Sequence, residues 1–188
     1  MAEPTPCAPA LGAGPGSREA RILPQSYFDV EQNTIRTMKQ LLSLEYLHYD
    51  SIEEMPTEDM QLVRAAEEAC SKAIAHYSHF HVGAAARLAS GRIITGSNVE
   101  SEVYPAGLCA ERTLLYHHQA TTPEDKIVAL AIASSPSHRE CYPCGQCRQV
   151  LHDVEKRQGA DFKVIMSGAG SATVVEKASD LLPFTFTL

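Results

Sequence analysis

The spacing of apolar positions predicts a run of helices and strands from residue 57 onward. Leu62, Ala66 and Ala69 recur at helical spacing after Pro56-Thr57, which predicts an amphipathic helix that begins there. Apolar and polar side chains then alternate from Phe80 to Leu88, as in a strand. Ser90-Gly91 is typical of a tight turn, so residues 92–99 are predicted to return as the second strand of a hairpin.

The second half of the chain alternates between helical and strand spacing of its apolar residues. The predicted elements are, in order, a helix from Cys109 to about Gln119, a strand Ile127–Ala133, a helix Cys144–Lys156, a strand Phe162–Met166, and a short strand with a helical turn within Thr173–Leu182. The run Ile127–Ala133 is almost continuously apolar, as in a strand buried on both faces. Pro143 suits the first turn of the helix that follows it. A helix, a hairpin and then alternating helices and strands indicate an α/β sandwich with a mixed sheet.

The chain before residue 57 has a different character. Residues 1–17 are rich in Ala, Pro and Gly, and we expect a disordered tail or an expression remnant. Residues 18–56 carry a partly helical apolar pattern (Ile35, Met38, Leu41, Leu42, Leu44, Tyr46), which is expected to pack on the domain or on a partner subunit. The predicted organisation is therefore a tail (1–17), an N-terminal extension (18–56) and a functional domain (57–188).

Composition narrows the class of protein. A hydrophobic content of 44% over 188 residues is enough for a core without disulfide staples. The chain contains no run of about 18 apolar residues, so no membrane span is predicted. Cys-x-x-Cys spacing without a secretory signal favours metal or redox chemistry in a reducing compartment, so a cytoplasmic protein is expected. The net charge of −7 disfavours a nucleic-acid surface and suits a small, uncharged or cationic substrate.

Two short segments carry the candidate chemistry, Cys109-Ala110-Glu111 and Pro143-Cys144-Gly145-Gln146-Cys147. They supply three possible thiolates and one carboxylate, each segment opening a predicted helix. Zinc held by three protein ligands keeps a fourth position open, which is the catalytic arrangement. A carboxylate two residues after a ligand is placed to move protons at that position. Arg112 and Arg148 follow the two segments, and we expect their charge to offset the anionic thiolates.

Other interpretations of the cysteines remain open at this point. Cys141 offers a fourth thiolate for a structural zinc knuckle, and the run Cys141-x-x-Cys144-x-x-Cys147 is weakly similar to an iron–sulfur loop. Cys144 and Cys147 also have the spacing of a redox dithiol. These interpretations leave the position of Glu111 unexplained.

Four sequence blocks resemble the homotetrameric cytidine deaminases. They are Tyr77-Ser78-His79-Phe80-His81-Val82-Gly83-Ala84-Ala85, Asn98-Val99-Glu100, Tyr104-Pro105-Ala106-Gly107-Leu108-Cys109-Ala110-Glu111-Arg112, and Pro143-Cys144-Gly145-Gln146-Cys147-Arg148-Gln149-Val150. The resemblance covers residues 57–188. It agrees with the general zinc-deaminase signature, with Cys109 in place of the usual first His.

The resemblance implies a fold and an activity. The fold is a three-layer α/β/α sandwich with a mixed five-stranded sheet, and residues 57–188 are its catalytic domain. The activity is hydrolytic deamination of cytidine and deoxycytidine in pyrimidine salvage, with one zinc ion per chain. The assembly is a homotetramer whose sites are completed by neighbouring subunits, with a nucleoside as substrate and no nucleic acid or membrane as partner.

The resemblance also implies residue roles. Cys109, Cys144 and Cys147 would bind zinc, Glu111 would carry protons, and Arg112 and Arg148 would support the thiolates. Asn98 and Glu100 would bind the ribose hydroxyls, Tyr104 the 5′ hydroxyl region, and the backbone N–H of Ala110 the base carbonyl. Phe80 would stack on the pyrimidine. Phe186, with Phe184 as an alternative, would reach the site of a neighbouring subunit.

The sequence departs from the family pattern near these positions. Tyr142 precedes Pro143 where Ser or Thr is common, and Ser101-Glu102 replace the commoner Asn-Ala. Three alternatives to the predicted activity stay open: a deaminase of a modified cytosine nucleoside such as blasticidin S, a nucleic-acid-editing deaminase, and a non-catalytic zinc-stabilised binding protein. The charge disfavours the second, and Glu111 is unnecessary for the third.

Overall fold

A computed structural model of the protein describes residues 39–187. The strands are β1 (Leu47–Tyr49), β2 (His81–Leu88), β3 (Ile93–Ser97), β4 (Ile127–Ser135), β5 (Lys163–Gly168) and β6 (Ser171–Val175), and the helices are α1 (Thr57–Ala69), α2 (Ala110–Thr121) and α3 (Gly145–Gln158). Each element predicted after residue 57 is present, with ends shifted by a few residues. Short 3₁₀ helices cover Ile52–Glu54, Cys70–Lys72, Tyr104–Ala106 and Ala178–Leu181.

The sheet is mixed and has the strand order β1-β6-β5-β4-β2-β3. Strands β4 and β5 are parallel, and the other neighbours are antiparallel. The sheet has six strands where five were predicted, because β1 joins the edge of β6 with Leu47 opposite Val174 and Tyr49 opposite Ala172. The added strand comes from the predicted N-terminal extension.

The described part of that extension is less helical than its apolar pattern suggested. Residues 39–46 lie outside any helix or strand, and the helical turn is the 3₁₀ helix Ile52–Glu54. Ile52 and Met55 are buried in the core beside α1, so a boundary at residue 57 does not separate them from the sheet. The predicted tail (1–17), and the extension up to residue 38 with Ile35 and Met38, lie outside the described residues.

Helices cover the sheet on both faces, which gives the predicted three layers. On one face, Leu62, Val63 and Ala66 of α1 pack in the core cluster that includes Ile165. On the other face, leucines and valines of α2 and α3 pack with alternate residues of the same strands. The alternation follows from the strand period of two, which sends neighbouring side chains to opposite faces. Among the described residues, no helix is long and apolar enough to cross a bilayer.

Close contact between β2 and α1 requires a glycine. A Cβ atom on Gly83 would lie 2.0 Å from the carbonyl oxygen of Ala66 and 2.7 Å from the amide nitrogen of Cys70. No side chain fits there, so the backbone of β2 lies directly against the end of α1. Cys70 begins the 3₁₀ helix that follows α1 and is buried in the core, with its Sγ 3.6 Å from the carbonyl oxygen of Ala66.

Candidate active site

Three cysteine thiols from the two sequence segments meet in space. The Sγ atoms of Cys109, Cys144 and Cys147 all lie within 4.8 Å of one another, and Cys144 Sγ is 3.5 Å from Cys147 Sγ. Tetrahedral zinc with Zn–S bonds of about 2.3 Å separates its sulfur ligands by roughly 3.8 Å. The spacing of the thiols therefore fits a zinc ion bound by all three.

The thiols lie at the beginnings of two helices. Cys109 directly precedes α2 and Cys144 directly precedes α3, while Cys147 lies in the first turn of α3 and is fully buried. Helix N-termini stabilise negative charge, so both helices favour the thiolate form at this point. Gly96 lets α2 approach the sheet, because a Cβ atom there would lie 2.8 Å from the carbonyl oxygen of Ala110.

Hydrogen bonding among the three thiols favours the thiolate form of Cys109. A hydrogen bond from Cys147, aided by the nearby Arg112, lowers the pKa of Cys109 to about 5. The same hydrogen bond, together with burial, raises the pKa of Cys147. Zinc binds thiolates and displaces their protons, so this donor set suits a soft divalent cation.

Glu111 lies beside the thiols in the first turn of α2. Its side chain is only 4% exposed, and burial raises the pKa of its carboxyl group to about 7. A carboxyl group with such a pKa exchanges its proton readily at neutral pH. Glu111 also lines a cavity together with Cys109 and Cys144, so its carboxyl group and two of the thiols face the same space.

The two predicted supporting arginines make different contacts. Arg112 Nη2 lies 3.7 Å from Cys109 Sγ and 3.5 Å from the carbonyl oxygen of Gly107. Arg148 donates instead to the backbone, to the carbonyl of Pro143 at 2.9 Å and that of Leu181 at 3.3 Å. Arg112 thus places its charge directly at a thiol, whereas Arg148 fastens the segment that carries Cys144.

The cavity has a volume of about 420 Å³ and combines all four sequence blocks. The predicted site residues that line it are Phe80, Asn98, Glu100, Tyr104, Cys109, Glu111, Arg112 and Cys144. Its size suits a small organic molecule. Phe80 lies in the wall with 43% of its surface exposed, a large exposure for a phenylalanine.

Asn98 and Glu100 organise the wall that contains Phe80. The Asn98 side chain accepts from the Val82 amide at 2.7 Å and donates to the Phe80 carbonyl at 2.9 Å. Glu100 accepts from the amides of Tyr77 and Ser78 and from the Ser78 hydroxyl, and these hydrogen bonds lower its pKa. Both residues keep further acceptor capacity for a ligand.

The aromatic residues predicted at the periphery are strongly exposed. Tyr104 lines the cavity with 79% exposure, and its ring packs edge-on against Tyr77 at a centroid distance of 6.2 Å. Phe186 is 69% exposed and is not among the residues that line the cavity of its own chain. Its carbonyl accepts from Gln149 of α3 at 3.2 Å. A role for Phe186 in a neighbouring site stays a prediction, as does the competing role of Phe184.

Two cavity residues were not predicted to act in the site. Cys141 lines the cavity but lies outside the group of three thiols, and burial raises its pKa to about 11. The position of its Sγ outside the three converging thiols argues against a fourth zinc ligand, and so against the structural zinc knuckle. Tyr142 also lines the cavity. Its position directly before Pro143-Cys144 was the available signal.

Comparison with known proteins gives a consistent result. The family model described as "Cytidine and deoxycytidylate deaminase zinc-binding region" matches residues 56–158. A cytidine deaminase from Halalkalibacterium halodurans is 36% identical over 126 residues, which cover 67% of this chain and 92% of the relative. A probable cytidine deaminase from Dictyostelium discoideum is 34% identical, over 66% of this chain and 81% of the relative.

Solved structures agree with the fold. A crystal structure of cytidine deaminase from Burkholderia pseudomallei aligns with a TM-score of 0.61 and 36% sequence identity. The alignment covers 70% of this chain and all of that chain (100%). The α/β architecture and the mixed sheet are therefore those of a solved relative.

Proposed function

Because the chain belongs to the cytidine and deoxycytidylate deaminase family, we propose that it hydrolyses cytidine and deoxycytidine to uridine and deoxyuridine, with release of ammonia. The observation that carries the proposal is the buried carboxyl group of Glu111 beside three converging thiols in one cavity. Zinc is the cofactor that the thiols fit, and Cys109, Cys144 and Cys147 would hold one ion per chain.

Different residues of the cavity would have different roles in this reaction. Zinc, when bound, supplies Lewis acidity at an open coordination position. Glu111 would take a proton from the attacking water and pass it to the pyrimidine ring. It would then carry the hydroxyl proton of the tetrahedral carbon adduct to the amine, which leaves as ammonia. Phe80 would stack on the base, a contact worth about 1–3 kcal/mol. The Ala110 N–H at the start of α2 would hold the base carbonyl.

The remaining cavity residues would bind the sugar. Asn98 and Glu100 lie together on the wall, and their free acceptors suit the ribose hydroxyls. Tyr104 would contact the 5′ hydroxyl region. The high exposure of Tyr104 and Phe186 supports contact with neighbouring subunits. The homotetramer itself is proposed from the family resemblance. A cytoplasmic role in pyrimidine salvage fits the free cysteines and the nucleoside substrate.

A deaminase assay tests this function. We expect the purified protein to release ammonia from cytidine and deoxycytidine, and metal analysis to find about one zinc per chain. A strong chelator should abolish the activity, and added zinc should restore it. Turnover of blasticidin S without turnover of cytidine would instead identify a deaminase of modified nucleosides, and an inactive zinc-containing protein would indicate a binding role.

Replacement of Arg112 by Gln is expected to lower kcat/KM for cytidine by roughly tenfold, because a group that supports a metal ligand typically contributes about 10- to 100-fold. The charge at Cys109 Sγ would be lost while the fold stays intact. The measurement is steady-state kinetics together with zinc content and thermal unfolding. Arg112→Lys is the matched variant, since it restores the charge without the guanidinium geometry. Unchanged kinetics in Arg112→Gln would show that the N-termini of α2 and α3 stabilise the thiolates without Arg112.

A further inference from the structure

Glu140 is a buried carboxylate outside the proposed reaction. It lies in the segment between β4 and α3, with 7% of its surface exposed. Three hydroxyl groups donate to it: Tyr142 at 2.6 Å, Ser171 at 2.9 Å and Thr173 at 2.6 Å. Ser171 and Thr173 belong to β6, whereas Tyr142 belongs to the cavity wall. Glu140 therefore links the sheet to the cavity.

Glu140 binds these hydroxyls as a charged acceptor. Burial by itself raises the pKa of the carboxyl group, but the hydrogen bonds from Thr173, Tyr142 and Ser171 outweigh it and hold the pKa below its ordinary value. An ionised carboxylate only accepts, so the Tyr142 hydroxyl is the donor of a charge-assisted bond. Such bonds are shorter and stronger than neutral ones, and they fix the direction of the donor.

Tyr142 needs such an anchor because its ring is half exposed. It lines the cavity next to Cys141 and Cys144, and it also lines an adjoining cleft of about 240 Å³ together with Phe80. With 52% of its surface exposed, the ring has little packing to hold it. The hydrogen bond to Glu140 ties the hydroxyl end of the ring to the segment behind the wall.

The added strand β1 covers the other side of the carboxylate. His48 lies opposite Thr173 in the β1–β6 pairing, and its Nδ1 atom is 3.4 Å from Glu140 Oε1 and 3.3 Å from Thr173 Oγ1. The edge strand from the N-terminal extension thereby shields the carboxylate that holds Tyr142. This contact gives the extension a connection to the cavity.

We propose that Tyr142 is a further nucleoside-contacting, specificity-determining residue, and that Glu140 is the positioning residue that holds its ring. The proposal rests on the proposed function, since it assigns another residue of the same cavity to the same substrate. A fixed tyrosine ring adds apolar surface for a pyrimidine nucleoside and limits the bulk that the cavity admits. A ring released from Glu140 has to be ordered again each time the nucleoside binds.

Tyr142→Phe tests the anchor, because it removes the hydroxyl and leaves the ring. We expect KM for cytidine to rise roughly two- to tenfold, the cost of ordering one side chain on binding, with kcat within about twofold of the wild type. Tyr116→Phe is the matched control, a tyrosine on α2 with 45% exposure that is not among the cavity residues. The control is expected to keep both constants. An unchanged KM in Tyr142→Phe would overturn the anchoring role.

A double-mutant cycle tests the partner. Glu140→Gln removes the charge and leaves one acceptor oxygen for three hydroxyl donors, so it should raise KM by no more than Tyr142→Phe does. The double variant should show no further rise over Tyr142→Phe, because both changes act on the same bond. If Glu140 has only a structural role, Glu140→Gln should lower thermal stability and leave KM unchanged. An effect on KM that adds to that of Tyr142→Phe in the double variant would also contradict the positioning role. Tyr142→Ala should raise kcat/KM for blasticidin S relative to cytidine, and an unchanged ratio would overturn the role in specificity.

Uridine binding by calorimetry separates this proposal from the proposed function. An active wild type whose Tyr142 variants bind uridine with unchanged affinity overturns the inference alone. A wild type that binds uridine without deaminating cytidine overturns the proposed activity, and the affinities of the variants still decide the role of Tyr142. A wild type that binds no nucleoside overturns both.

Discussion

Glu111→Gln is expected to lower kcat for cytidine by about 10²- to 10⁴-fold, the usual contribution of a general acid–base group. The amide has nearly the shape of the carboxyl group but cannot take a proton from one group and deliver it to another. Glu111 is not among the grouped thiols, so zinc content should stay at the wild-type level. The measurement is single-substrate kinetics with metal analysis of the same preparation.

A buried glutamate elsewhere provides the control for Glu111→Gln. Glu155 of α3 is 6% exposed and accepts from the amides of Ala178 and Ser179 at 2.7 and 2.9 Å. Glu155→Gln should lower the midpoint of thermal unfolding, while kcat per folded molecule stays within about twofold of the wild type. Wild-type turnover by Glu111→Gln would remove this residue from the mechanism, and loss of zinc from that variant would make it a ligand.

Cys147→Ser is expected to lower zinc content from about one per chain to near zero, and to lower kcat/KM by more than about 100-fold. Even residues that only support metal ligands contribute about 10- to 100-fold, so loss of a ligand should exceed that range. Cys147 is fully buried and is one of the three converging thiols. A serine hydroxyl does not replace a thiolate as a zinc ligand. Metal analysis, kinetics and thermal unfolding of the same sample check the expectation.

Cys141→Ser is the matched control, because it alters the fourth cysteine of the same segment. Its thiol lies outside the zinc group, so zinc content should stay near one per chain and kcat within about threefold of the wild type. Equal loss of zinc in both variants would support a four-cysteine structural site. A brown, iron-containing wild type would support the cluster interpretation instead.

The helices, the strands and the metal-binding segments were predictable because their signals are local. The periodicity after Pro56 placed α1, which begins at Thr57 without a side-chain cap. The two cysteine segments directly precede or open α2 and α3, as the predicted helix starts required. The cluster of three thiols could be predicted from the spacing of the cysteines, since cysteine is a common zinc ligand.

The contacts between distant segments were not predictable in the same way. Residues 47–49 lie in an extension that was predicted to be partly helical, yet they pair with the edge of β6 as a strand. Arg112 and Arg148 each directly follow one of the two segments, but the hydrogen bonds of Arg112 include a thiol and those of Arg148 go to backbone carbonyls. Such choices depend on which backbone groups remain unpaired after the sheet has formed.

The sequence by itself determined the chemistry of this protein: three thiols, one carboxyl group and the helices that present them, since each depends on residue type and short-range spacing. Only the tertiary structure decided how His48, Glu140 and Thr173 meet behind Tyr142, because these residues are joined through the pairing of β1 with β6. Pairing between strands depends on long-range burial and hydrogen bonding, which no local pattern of side chains specifies.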